Sequence, residues 1–169
     1  MNKFSYHPHQ PWSWRPADQN DVEAIMDLME QHYQHEADAF FTINRTRMGY
    51  HLRQAILDQQ YQLNTQIIGV AVQEQRMLAW HWCSRGAYQP YSNDEMATGE
   101  FVHINLNLPV RVRVMLCTQI LEQWCAWSEV NQIPVLASTT IRGEQAAFMR
   151  IHERLGFTVK GSFAWKRII

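Results

Sequence analysis

The residues best suited to chemistry fall close together. Glu100 stands before an alternating run in which Phe101, His103, Asn105 and Asn107 share one face, and Val102, Ile104, Leu106 and Leu108 the other. A central strand ordinarily reads apolar on both sides. A face bearing His, Asn and Asn therefore needs partners, either in an internal hydrogen-bonded network or in a cleft that admits water and substrate. His103 titrates where proton transfer is useful, and Glu100 adds a carboxylate three residues before it. Just beyond, Arg111 and Arg113 alternate with Val110, Val112 and Val114. They offer two guanidinium groups to an anion, or else form the solvated basic edge of a strand extension. Cys117 falls near the expected start of the next helix, where a thiol pKa is lowered. No histidine–acid pairing accompanies it to make it a nucleophile.

Other constellations carry less. His32-x-x-His35 has the i,i+3 spacing of a metal pair, but no cysteine or second pair completes a ligand set, so both read as exposed helical histidines. His7-Pro-His9 is equally weak. The chain holds no Ser-centred elbow, no Gly-Lys-Ser/Thr phosphate loop and no dinucleotide glycine fingerprint.

The elements that must position these groups emerge from pattern and punctuation. At 169 residues, 46% apolar and 18% charged, the chain reads as one domain over 1–169 with a core of its own, and 1–12 as an N-terminal arm. A net charge of −1 with no basic block gives a nucleic-acid surface no global support. No apolar run approaches bilayer length, and Met1 to His9 lacks the apolar core of a secretory signal. Three cysteines in no ligand spacing read as reduced thiols, and the expected location is cytoplasmic.

Trp12 to Arg15 suits a short strand stopped by Pro16. Asn20 or Asp21 caps a helix carrying Val22, Ile25, Met26, Leu28 and Met29, extended by Tyr33. Arg45 to Gln60 is a second helix. Ile67 to Val72 and Met77 to Cys83 form a hairpin, and Tyr88 to Gly99 a polar loop. After the strand Phe101 to Leu108 come a helix from Leu116 to Val130, a strand from Ile133 to Ile141, and a helix ending at Gly156-Phe157. A last hairpin turns at Lys160-Gly161. The expected fold class is α/β, a mixed twisted sheet of about seven strands with helices on both faces. Trp80 with Trp82, and Trp124 with Trp127, are core pairs or a surface for a homodimer or protein partner.

This order of elements, with the opening Trp14-Arg-Pro-Ala17 and the ending His152-Glu-Arg-Leu-Gly-Phe157, resembles the GNAT superfamily of acyl-CoA-dependent N-acyltransferases over about the whole chain. The resemblance implies acetyl-CoA or another acyl-CoA as co-substrate, with direct transfer of the acyl group to a primary amine on a small molecule or a protein. It implies that the cofactor's arm lies beside the fourth strand, along Leu106, Asn107 and Leu108, and that backbone N–H groups near Asn107 and Leu108 polarise the thioester. Its pyrophosphate then meets the next helix start, from Arg111 and Arg113 through Val114, Met115, Leu116, Cys117 and Thr118.

The family marks that turn as Gln/Arg-x-x-Gly-x-Gly/Ala. Here the window is Val112-Arg-Val-Met-Leu-Cys117, with neither glycine. Gln145 falls where the family often has an asparagine that touches the cofactor. The resemblance assigns proton removal to Glu100 or His103. His152 takes the position of the family's tyrosine acid, with Tyr88 and Tyr91 as other sources of that proton. The competing reading is a GNAT-fold structural or protein-interaction module that has lost CoA binding.

Overall fold

The structure, a computed structural model, describes residues 11–36, 42–140 and 145–161. Five strands among these residues form one sheet in the order β1 (Ser13–Pro16), β2 (Gln66–Gln73), β3 (Arg76–Tyr88), β4 (Glu95–Ile104) and β5 (Val135–Ser138). The first four are antiparallel neighbours, and β5 alone lies parallel to β4. That parallel step is spanned by α3 (Val110–Val130), the long crossover such a connection requires. Helices α1 (Val22–Glu36) and α2 (Arg45–Tyr61) cover one face, while α3 and α4 (Gln145–Arg154) cover the other. The expected mixed α/β sheet with helices on both faces is present, and five of about seven expected strands lie among the described residues.

Two cores sit on the two faces. On one, Ile25, Met26, Leu52 and Ile56 pack on Ile68, Val70 and Trp80. On the other, Leu116, Ile120, Leu121 and Trp124 pack on Ala79, Cys83 and Ala97. Each fully buried large side chain contributes about 1.5–3 kcal/mol. Asp18 caps the single 3-10 turn that leads into α1, two or three residues before the expected caps, and closes a capping box with Asp21. Asn44 caps α2, where its side chain accepts from Arg47 N–H at 2.9 Å. Arg45 then reaches Glu23, Asp27 and Glu30 of α1 at 2.9–3.0 Å, which fastens residues 42–44 against that helix.

Three boundaries depart from the sequence pattern. The polar loop shrinks to residues 89–94 because β3 and β4 extend into it, tied by Arg85 Nε donating to Glu95 Oε1 at 2.7 Å. Conversely, β4 ends at Ile104, so Asn105 to Leu108 form a turn and not the end of a strand. Helix α3 starts at Val110, six residues earlier than expected, and Val110 to Val114 are helical instead of a strand extension. Pro109 is its N-cap residue, and the first helical bond is Arg113 N–H to Pro109 O at 3.1 Å. After α4 the chain turns through Gly156, at a φ of +86° that favours glycine, and residues 157–160 form no strand. The rest of the expected last hairpin, the connection 37–41 and the arm 1–10 lie outside the described residues.

Candidate active site

The site arises from how β4 changes partners. Its parallel register with β5 covers four pairs, from Met96↔Val135 to Gly99↔Ser138, and β5 then ends. Against β3, β4 continues to Ile104. The register with β3 also slips just there: Cys83 faces Gly99 and Trp82 faces Phe101, so Glu100 is an extra residue on β4. Such a bulge re-aims side chains, and here it sets Gly99 and Phe101 on opposite faces of the sheet.

A cavity of about 390 Å³ opens where the strands part. It crosses from the α1–α2 face, where Met29, His32, Tyr33, Ile43 and Met48 line it, to the α3–α4 face, where Trp124, Thr139, Thr140 and Phe148 do. Residues 99–103 of β4 form the middle of its wall. Glu100, exposed on the bulge, accepts from Ser84 Oγ at 2.7 Å. His103 belongs to an aromatic stack: Trp80 lies 5.1 Å from its ring and 5.5 Å from that of Phe101, both nearly parallel.

Sequence reasoning misplaced His32. It is 2% exposed, its Nε2–H donates to Ile104 O, and its ring meets His103 edge-on at 4.9 Å. A signal was available, because His32 falls seven residues after Ile25 and three after Met29, on the buried face of α1. Tyr33 also lines the cavity and was read only as a helix residue, whereas Tyr88 and Tyr91 are exposed and outside its lining.

His152 lies outside the described cavity lining. It is 2% exposed, its Nδ1–H donates to Phe148 O at 3.0 Å, and burial lowers its pKa. Its Nε2 has no partner among the described residues. Phe148, 4.4 Å away ring to ring, itself lines the cavity.

The expected cofactor segment is divided by the earlier helix start. Asn105 is buried and organises the turn: its Oδ1 accepts from Asn107 N–H at 2.9 Å and its carbonyl from Leu108 N–H at 3.2 Å. The two amides expected to polarise a thioester are thus spent within the turn. Leu106 is half-buried and Leu108 buried. The amides that precede the first helical bond are those of Val110, Arg111 and Val112, where a helix offers donors and a positive dipole end.

Arg111 is exposed beside them, and Arg113 is half-buried with its Nε unpartnered among the described residues. Val114 and Met115 are exposed, while Leu116 and Cys117 point into the core. Thr118 Oγ1 donates to Val114 O at 2.9 Å. Cys117 lies seven residues inside α3, away from the helix start where the sequence pattern placed it. Gln145 is the first residue of α4.

A second histidine cluster lies on the opposite face of the same strands. His81 of β3 is fully buried; Trp124 Nε1–H donates to its Nδ1 at 2.9 Å and its Nε2–H faces Gln123 Oε1 at 3.3 Å. These bonds fix one neutral tautomer, and burial pushes the pKa down to about 4. The space is made by two glycines. A Cβ on Gly69 would come 2.4 Å from His81 Nε2, and one on Gly99 2.2 Å from the Trp124 ring.

No protein-family model and no curated protein matches the chain. Solved structures match its fold over nearly its whole length. A predicted acetyltransferase of Clostridium acetobutylicum, solved with acetyl-CoA, is 10% identical with a TM-score of 0.69, over 94% of this chain and 97% of that one. An aminoglycoside 6′-N-acetyltransferase of Acinetobacter baumannii is 16% identical with a TM-score of 0.67, over 94% and 99%. The glucosamine-6-phosphate N-acetyltransferase of Arabidopsis thaliana is 12% identical with a TM-score of 0.68, over 95% and 100%. The chain has the GNAT fold. No helix among the described residues is long and apolar enough to cross a membrane.

Proposed function

We propose that this protein is an acyl-CoA-dependent N-acyltransferase, with acetyl-CoA as the first donor to test and a primary amine as acceptor. One observation carries the reading: β4 and β5 part after Gly99↔Ser138, and the cavity at that point joins the two faces of the sheet with Glu100 at the crossing. Two reactants can therefore approach one point from opposite sides. Solved structures with this fold include acetyl-CoA and bisubstrate-analogue complexes, which supports the choice of donor.

The residues present fit such a donor in two places. The gap between β4 and β5 takes an extended arm, and the first amides of α3 with Arg111 take phosphate charge. Acyl-CoA supplies an activated acyl thioester. The chain's own groups do the rest. Glu100 takes one proton from the acceptor's ammonium, directly or through water. The freed nitrogen forms the C–N bond as the C–S bond breaks, and the proton shed by the new amide passes to the departing thiolate, with His103 placed to relay it. Glu100 then returns its proton to solvent. Trp124 and Phe148 wall the donor side and exclude water from it. The reaction is expected in the cytoplasm.

A specific observation favours the second reading, a GNAT-fold module without CoA binding. Helix α3 is regular across Arg113 to Cys117, so all the amides of the glycine-less window except that of Val112 are engaged inside the helix. Calorimetric titration of the full chain with acetyl-CoA and with CoA decides between them. Micromolar binding that weakens in Arg111→Ala supports the transferase. A folded, ligand-free protein silent to millimolar concentrations supports the module.

A further inference from the structure

The α1–α2 half of the cavity has a composition that selects among amines. Met29, Ile43, Met48 and Phe101 give it apolar walls, and the Trp80–Phe101–His103 stack backs it with flat aromatic faces. Its polar side chains are His32, Tyr33, Thr42, Asn44 and His103, together with one carboxylate. Among the described lining residues Glu100 is the single carboxylate, and none of them is Lys or Arg.

Each feature excludes a class. A phosphorylated amino sugar brings a dianion that needs guanidinium or ammonium partners, and the described lining holds neither. A polyamine or aminoglycoside brings several ammonium groups; one carboxylate compensates one of them, and the others would be desolvated against methionine and phenylalanine. A single ammonium on an aromatic or apolar body matches on both counts. The charge meets Glu100 at the bulge, and the body lies against the stack and the methionines, which adapt to its shape.

We propose that the acceptor is a monocationic arylalkylamine or apolar alkylamine, not a polycation or a phosphorylated amino sugar. This deepens the acyltransferase reading and rests on it for the acyl-transfer step, whereas amine binding itself does not require the donor. The test is calorimetric titration of the full chain with 2-phenylethylamine, kanamycin and glucosamine 6-phosphate, each with and without saturating CoA, alongside the titration with acetyl-CoA.

Phenylethylamine is expected to bind at least tenfold more tightly than the other two. It should weaken at least tenfold in Glu100→Gln, whose exposed position spares folding. Met48→Glu, which adds a second carboxylate to the wall, should shift preference toward kanamycin at least threefold. Tighter binding of kanamycin or glucosamine 6-phosphate, binding of none of the three, or phenylethylamine binding unchanged by Glu100→Gln overturns the proposal, whatever acetyl-CoA does. Phenylethylamine binding without acetyl-CoA binding leaves the amine site standing and removes the acyltransferase reading.

Discussion

Two histidines sit among aromatic rings on opposite faces of β3 and β4, and they are built for opposite ends. His81 is closed in: fully buried, held by Trp124 and Gln123, and given room by Gly69 and Gly99. His103 also stacks on a tryptophan, but its ring borders a cavity with Tyr33 and Glu100. The first cluster is a packed joint between sheet and helix, where a protonated imidazole would be costly. The second keeps space for another molecule. A histidine among aromatics therefore says little about role until the volume beside it is known. The two clusters meet at one peptide, where Gly99 serves the first and Glu100, on the bulge, the second.

That adjacency makes the comparison easy to break. The largest expected effect is on activity: Glu100→Gln should lower kcat/KM about 10³-fold, roughly 4 kcal/mol, as removal of a general base does, while urea denaturation stays near wild type. An equal loss of stability would merge the two clusters into one. Next, Gly99→Ala should cost about 3 kcal/mol of stability, because the added methyl meets the Trp124 ring and neither strand nor indole can retreat freely. Urea midpoints measure it, and a neutral result would deny the tightness of the His81 side.

Third is pH. His81 has its folded pKa held at about 4, below the 6.5 of the free side chain, so the unfolded chain binds the extra proton between those values. Stability is fully present above pH 6.5 and falls by on the order of 2–3 kcal/mol as pH drops to 4. His152 shifts in the same direction. Denaturation series at several pH values should show this slope, flattened in His81→Gln. Smallest is Arg111→Ala, which should raise the Kd for acetyl-CoA about fivefold, roughly 1 kcal/mol, and less at high salt because the side chain is exposed.

The sequence carried the element order because the evidence for it is local. Ile67 to Val72 and Met77 to Cys83 read as a hairpin from their apolar runs, and the observed turn places Glu74 and Gln75 at positive φ, the hairpin geometry that their spacing demanded. It misled where a local pattern was outvoted by tertiary context. Val110 to Val114 alternates like a strand, yet Pro109 opens a helix there and Val112 turns into the core.

The polar residues Asn93 and Asp94 suggested a long loop, but cross-strand pairing and the Arg85–Glu95 ion pair carry the strands almost to them. The candidate site was legible as two residues, Glu100 and His103. The bulge that separates Gly99 from Glu100 and the cavity shared with α1 depend on chain segments far apart in sequence, and no spacing along one strand encodes them.

The four-residue partnership of β5 with β4 has a kinetic meaning. Strands β2 to β4 form a continuous antiparallel meander, whereas β5 follows α3 in the chain and, among the described residues, pairs with β4 alone over four positions. Its amides belong among the first to exchange with solvent deuterium and those of β3 among the last. Under the proposed acyl transfer, a wall held this lightly would let a spent thiol leave sideways, without disturbing the helices that would hold the amine.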